Sequence, residues 1–327
     1  MVNGMFTSPS CLLPPAELAR CVIEHQKSQF NEDVLLLPML LLPFPSMLSN
    51  RDSAARGMRD SLAERRGSYV ELGAFDGVNK SNTYALEHCC GWTGTLIEGN
   101  PSNFAKLQRS GRKGRMVHSA VCSVPGHVNM SATGDEFAMV VTEASRGPRV
   151  SMRRRSAEVP CDKLSSILDA NGATPLIDFL SLDVEGAEET VLSTIDPTRF
   201  KLIVLEVQKT SKKDHSSALN RIDRMLTGAG MVMPPWVRIH NSRVYAWANL
   251  TVVHVPGVRL YRPVRMPTES GLESALRETM QVIGTQQQEE AQQVQEDQVA
   301  NARGARRAST SKYRRPSTST SVGNPPR

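Results

Sequence analysis

The chain has 327 residues, 39% apolar and 22% charged. That suffices for one large domain or one medium domain with tails, and it excludes a peptide or a small disulfide-stapled scaffold. Its 39 basic and 33 acidic side chains give a net charge of +6, but seven basic residues and no acidic ones fall between Arg303 and Arg327. The remainder is close to neutral, so the basicity is a Ser/Thr/Pro-rich appendage and no specific nucleic-acid surface is expected.

In chain order, residues 1–67 read as an N-terminal helical extension. Leu18, Val22 and Ile23 fall at helical spacing within Pro15 to Gln29, and Ser53 to Arg66 forms a second, more polar helical pattern. Between them the apolar run Val34 to Pro45 is about twelve residues long and carries Pro38 and Pro43. A spanning helix needs roughly twenty, so no membrane span is expected. Met1 to Ser10 has no basic residue, and the apolar run begins too late for a secretory leader. Cys11, Cys21, Cys89, Cys90, Cys122 and Cys161 show no paired framework and no C-x-x-C spacing. They are expected as free thiols in a reducing compartment, the cytoplasm.

Residues 68–263 alternate strand-like and helical patterns. Tyr69 to Leu72, Gly94 to Ile97, Met116 to Val121, Leu176 to Val184 and Leu202 to Val207 are short, apolar and bounded by turn residues. Strands this apolar are covered on both faces, which predicts an α/β fold, a Rossmann-like doubly wound, mainly parallel sheet. Ser81 or Asn82 can cap one intervening helix, Asn100-Pro101 opens another, and Gly111 suits a stop. Further helices are expected over Gly186 to Ile195 and Ser216 to Thr227. Residues 264–327 read as a polar and basic tail, largely disordered.

Doubly wound sheets bind ligands beyond the carboxyl ends of their strands. After the first strand the chain reads Glu71-Leu72-Gly73-Ala74-Phe75-Asp76-Gly77, a turn with two glycines and two flanking acids. It lacks the G-x-G-x-x-G and Gly-Lys-Ser/Thr patterns, and its carboxylates would repel a pyrophosphate. Glu98 ends the second strand, where an acid can accept both hydroxyls of a ribose. A cationic nucleoside, S-adenosylmethionine, satisfies both features. The alternative is that Glu71 caps a turn and Glu98 is solvent-exposed.

These blocks, with Gly91-Trp92-Thr93-Gly94-Thr95-Leu96-Ile97-Glu98-Gly99-Asn100-Pro101 and Ile177-Asp178-Phe179-Leu180-Ser181-Leu182-Asp183-Val184-Glu185-Gly186-Ala187-Glu188, resemble the FkbM-type methyltransferases. The likeness covers roughly Ser68 to Leu250, and Ser28-Gln29-Phe30-Asn31-Glu32-Asp33 resembles an element that often precedes that domain. It implies a class I S-adenosylmethionine-dependent methyltransferase acting on a hydroxyl oxygen. Glu71, Gly73, Ala74, Asp76 and Gly77 would then hold the methionine part and Glu98 the ribose, with adenine near Ala120 to Ser123. Phe75 stands where the widespread motif has a third glycine.

The resemblance places Asp183 and Glu185 beside the expected methyl group, with Asp183 the first candidate for general base and Glu185 the second. Two carboxylates two residues apart serve together only if the chain turns at Val184. They could instead hold a divalent ion, but no third ligand is evident, and no metal is assigned. Glu206, His215 and His240 are further cleft candidates. The acceptor is expected to be a small-molecule or glycan hydroxyl. The alternative function is a catalytically inactive methyltransferase-fold protein that binds an acidic partner through Arg146, Arg149, Arg153, Arg154 and Arg155.

Overall fold

The computed structural model describes residues 11–41, 66–131, 140, 156–207, 212–232, 238–239, 244–249 and 268–281, with single positions 285, 292, 295 and 296. The expected helix over Ser53 to Arg66 (except Arg66), the arginine run from Arg146, and His240 lie outside these residues, as does the side chain of His215. Packing divides the chain into Met1–Val282 and Ile283–Arg327; in the second unit the four described positions are helical.

Three helices, α1 (Pro15–His25), α2 (Glu32–Leu35) and α3 (Leu37–Leu41), precede β1 (Ser68–Leu72), α4 (Tyr84–Cys90), β2 (Thr93–Glu98), α5 (Pro101–Leu107) and β3 (Arg115–His118). Next come β4 (Ala120–Val121), β5 (Gly126–Ser131), β6 (Ser156–Asp162), α6 (Leu164–Ala170), β7 (Ile177–Leu182) and α7 (Glu188–Leu192). β8 (Phe200–Glu206), α8 (Lys212–Gly228), β9 (Met231–Val232), β10 (Arg238–Ile239) and β11 (Val244–Asn249) follow. Residues 269–281 form a last helix, α9.

The main sheet runs β3-β2-β1-β7-β8-β11-β10, with β9 also on β11. The first five strands are mutually parallel, while β11 is antiparallel to β8. This is the predicted doubly wound, mainly parallel architecture. The chain winds outward from β1 to β3 and returns to place β7 on the other side of β1, so the order reverses between β1 and β7. β7 is buried along its whole length and β8 along all but its last residue. Val70, Leu72, Leu180, Leu182, Ile203 and Leu205 pack against Ile167 and Leu168 of α6, Val191 of α7, and Ile222 and Leu226 of α8. Strand alternation sends Tyr69 and Glu71 to the opposite face.

Two strand boundaries differ from expectation. The run Met116 to Val121 is split at Ser119: β3 stays in the main sheet, whereas β4 joins β6 and β5 in a separate three-stranded sheet. Ser119 makes the crossing, its amide donating to Glu98 O and its hydroxyl to Ala120 O and Pro160 O. β7 ends at Leu182 rather than Val184, because the chain turns into a left-handed Glu185 at φ 54°.

At the base of the sheet a buried Lys201 pairs with Asp178 at 3.2 Å and donates to Leu40 O at 2.6 Å. This ties α3 to β7 and β8, and satisfies a charge that would otherwise be costly to bury.

The free-thiol expectation is overturned. Cys11–Cys90 and Cys21–Cys89 fasten the α1 segment to the end of α4, Cys122–Cys161 joins β4 to β6, and no cysteine is left free. Partners 39 to 79 residues apart meet only through tertiary packing, which spacing rules for metal motifs do not detect. The basis for assigning a reducing compartment goes with it. Among the described residues no helix is long and apolar enough to cross a membrane.

Cross-links closing loops of this length each restrict the unfolded chain by about 2–4 kcal/mol. Peptide mapping without reductant is expected to recover these three pairs. Urea unfolding of the Cys122→Ser/Cys161→Ser variant should show a loss of about 2–4 kcal/mol.

Candidate functional site

The reversal of strand order opens a cleft between the carboxyl ends of β1 and β7, as expected for such sheets. There the Gly73 and Ala74 amides both donate to Ile97 O (3.0 and 3.1 Å), and the Asp183 amide donates to Leu72 O at 3.1 Å. Gly73 has φ +83°, and a Cβ on it would lie 1.8 Å from Asp183 O. No larger residue fits, so the turn and the β7 loop meet backbone to backbone.

One cavity, ≈ 960 Å³ including its open mouth, is lined by Glu71, Gly73, Ala74, Glu98, Asp183 and Glu185. Six of the eight residues expected from sequence therefore share a wall. Asp76 and Gly77 do not line it. Asp76 accepts from the Val78 and Asn79 amides and from Asn79 Nδ2, and Gly77 packs toward Leu107 and Arg112. Both shape the turn beside the cavity.

Glu71 is buried, and its carboxylate is engaged inside the protein. Oε2 accepts from Ser81 Oγ (2.8 Å) and Thr83 Oγ1 (2.6 Å), Oε1 accepts from the Asn82 amide (2.9 Å), and Arg112 Nη1 lies 3.6 Å from Oε2. The Arg112 guanidinium also donates to Gly77 O at 2.6 Å and to Tyr69 Oη at 3.1 Å, and its Nε sits 3.2 Å from Glu87 Oε2. Nothing in the local pattern Gly111-Arg112-Lys113-Gly114 signals this role, so sequence reasoning missed it.

Glu98 is buried at the end of β2, not solvent-exposed. It accepts from the Phe75 amide at 2.8 Å and the Asn100 amide at 2.7 Å. Burial outweighs these bonds and the nearby Lys106, and raises its pKa to about 7. Phe75, at φ +50°, lies over Lys106 with its ring centroid 4.9 Å from Nζ.

Asp183 is half-buried. Burial, then the negative charges of Glu206, Glu185 and Glu188, push its pKa well above the ordinary carboxylate range, against the pull of Lys80. The left-handed Glu185 brings a second acid to the same cavity. Glu188 is instead turned to the Gly186 amide, which it accepts at 2.8 Å. Among the described residues no group of three or more His, Cys, Asp or Glu side chains is placed to hold a metal ion.

Behind Asp183 a smaller cavity is lined by Gln29, Glu32, Lys80, Asn82 and Glu206. The N-terminal segment thus contributes to the site, and Ser28 makes a β-bridge to Lys80. The Ser28 to Asp33 turn caps itself. Asp33 accepts from Ser28 Oγ and the Lys27 amide, and Glu32 accepts from the Phe30 amide at 2.8 Å. Among the described residues the left-handed non-glycine positions are Asn31, Phe75, Lys80 and Glu185. Three of them line the main cavity, and the fourth abuts Glu32. Such conformations concentrate where a site over-determines its backbone.

Residues 71–233 match the family model of the Methyltransferase FkbM domain. Among solved structures the chain is similar to a methyltransferase FkbM from Methylobacillus flagellatus KT, at 13% identity and TM-score 0.36, over 72% of this chain and 58% of that one. It is similar also to a precorrin-6y C5,15-methyltransferase from Geobacter metallireducens GS-15 (13%, TM-score 0.29, 61% and 88%). A third is the plantazolicin methyltransferase BamL in complex with a triazolic desmethylPZN analog and SAH (8%, TM-score 0.31, 84% and 89%). The chain thus spans less than two thirds of the Methylobacillus protein. No curated protein sequence matches it.

Burial raises Glu32 to about 7, Asp33 to about 6 and Glu98 to about 7, and Asp183 moves in the same direction. A carboxyl whose folded pKa is raised binds its proton more tightly in the folded state. Its stabilising contribution is full below the unfolded pKa near 4.5 and is lost as pH rises through about 7. The melting temperature of the ligand-free protein is therefore expected to rise by several degrees between pH 8 and pH 5, measured by calorimetry at constant ionic strength.

Proposed function

Because the chain belongs to the FkbM methyltransferase family through residues 71–233, we propose that it transfers the methyl group of S-adenosylmethionine to a hydroxyl oxygen. The observation that carries this reading is one cavity bounded by the Gly73 turn, Glu98 and Asp183 at the reversal of strand order. The walls fit the cofactor. Glu98 retains acceptor capacity for ribose hydroxyls beyond its two backbone bonds. The cradle at Gly73 admits no side chain, and Ala120 and Val121, from the stretch expected to face adenine, line the cavity. Glu71, Gly73 and Ala74 shape the end that takes the methionine part, with Asp76 and Gly77 holding the turn.

When bound, S-adenosylmethionine supplies an activated methyl group with a neutral thioether as its leaving group. The protein's part is to align the acceptor and remove its proton. Asp183, made more basic by burial and by Glu206, Glu185 and Glu188, is the base in this reading, and Glu185 is the second carboxylate at hand. A small-molecule or glycan hydroxyl is the acceptor class. The three disulfides favour maturation where thiols are oxidised over the cytoplasm. No observation favours the inactive, acid-binding alternative.

Calorimetry on the oxidised protein is expected to show S-adenosylhomocysteine binding that Glu98→Ala weakens about tenfold or more with the far-UV spectrum unchanged. Absence of binding by the parent at millimolar ligand retires the reading. Asp183→Asn should retain S-adenosylhomocysteine within about threefold. Transfer from labelled S-adenosylmethionine to acceptors in a lysate of the source organism should fall by about 10²- to 10⁴-fold, and unchanged transfer would assign the base elsewhere.

A further inference from the structure

The cation-bearing end of the proposed cofactor needs an acceptor on the cavity wall, and Glu71 is badly placed to be that group. Both its oxygens are occupied, by Ser81, Thr83 and the Asn82 amide, and Arg112 offsets its charge. Immediately before Arg112's partner Thr83 lies a different kind of atom. Among the described residues, Asn82 Oδ1 is buried and has no hydrogen-bond partner. The rest of Asn82 is held. Its amide donates to Glu71 Oε1 at 2.9 Å, and its Nδ2 donates to Ser181 Oγ at 2.9 Å. The residue lines both the main cavity and the smaller one behind Asp183. A buried acceptor left unpaired carries a desolvation cost that a bound donor would offset. With Asp183, Glu185 and Glu206 in the same walls, a cationic donor is favoured over a neutral one.

We propose that Asn82 is a cofactor-binding residue whose side-chain carbonyl accepts a hydrogen bond from the α-ammonium group of S-adenosylmethionine. The inference rests on the reading of the cavity as the S-adenosylmethionine site and adds which atom receives the amino-acid end. Ser181 on β7 orients the amide, so the strand that leads to Asp183 also sets the acceptor for the cofactor's charge. Glu71 acts from behind as a positioning residue, holding the Asn82 backbone.

Three probes separate this contact from a structural one in titrations of the oxidised full chain. S-adenosylhomocysteine carries ammonium and carboxylate, its decarboxylated analogue keeps only the ammonium, and 5′-methylthioadenosine has neither. Asn82→Ala is expected to weaken the first two about tenfold or more and the third less than twofold. Asn82→Asp, isosteric and keeping an oxygen in place, should stay within about threefold of the parent for the decarboxylated analogue. Equal losses for all three probes would mean that Asn82 only supports the fold, and overturn the proposal. So would an unchanged affinity for S-adenosylhomocysteine, or a loss confined to the probe with a carboxylate. If Asn82→Ala does not fold, a tenfold loss of the decarboxylated analogue in Asn82→Asp overturns it equally. A parent chain that binds none of the probes refutes the methyltransferase reading itself, an outcome distinct from these.

Discussion

The site is organised around one buried cation. Arg112 is withdrawn from water together with Glu71 and Glu87, and a charge in that position is tolerable only when its partners are fixed in place. The consequences run through the whole β1–α4 connection. Gly77 O, Ser81 Oγ and Thr83 Oγ1 all accept from the same guanidinium, so three points of the loop between the glycine turn and the helix are tied to Arg112. Burial and the neighbouring acids act on both sides of this pairing. Glu87 is held below its ordinary range, with Arg112 the leading cause opposing its burial, while Arg112 is raised chiefly by Glu71 against its own burial.

This division of labour separates carboxylates that build the cleft from those that act in it. Glu71 and Asp76 are saturated by internal donors. Asp183 is made more basic by burial and then by the like charges around it. The same residue type therefore serves as a structural counter-ion in one place and, in the proposed reading, as a proton acceptor in the other, according to what faces it. Close backbone approach at Gly73 brings the two sets together, since any side chain at that position would collide with Asp183 O.

Much of this was readable from residues alone. Uninterrupted apolar runs announced the buried parallel strands, because a strand covered on both faces has no polar side to show. The glycine turn and Glu98 were singled out because such sheets bind ligands at strand ends, a rule of topology that needs only strand positions, and the resemblance added Asp183; Gly73, Glu98 and Asp183 line one cavity. What escaped depended on contacts between distant segments. Arg112 lies some forty residues from Glu71 in a stretch with no periodicity, and its partners are assigned only when β1, α4 and the segment before β3 are packed. The split at Ser119 was hidden because a short apolar run does not say which of two sheets it joins. The turn bonds of Asp76 were not foreseen, because a position flanking a glycine turn suits a ligand contact and an Asx turn equally well. Asn82 was read as a possible helix cap. Its side chain instead reaches β7, a contact no local signal encodes.

The two disulfides between the α1 segment and α4 give the N-terminal arm a standing beyond that of a leader to the domain. The arm delivers Gln29 and Glu32 to the cavity behind Asp183, and it is fastened to a helix whose opening residues hold Glu71. The two bonds thus couple the placement of one wall of the cleft to the oxidation state of four cysteines. Without them the same sequence and sheet would leave that wall of the cleft unmoored.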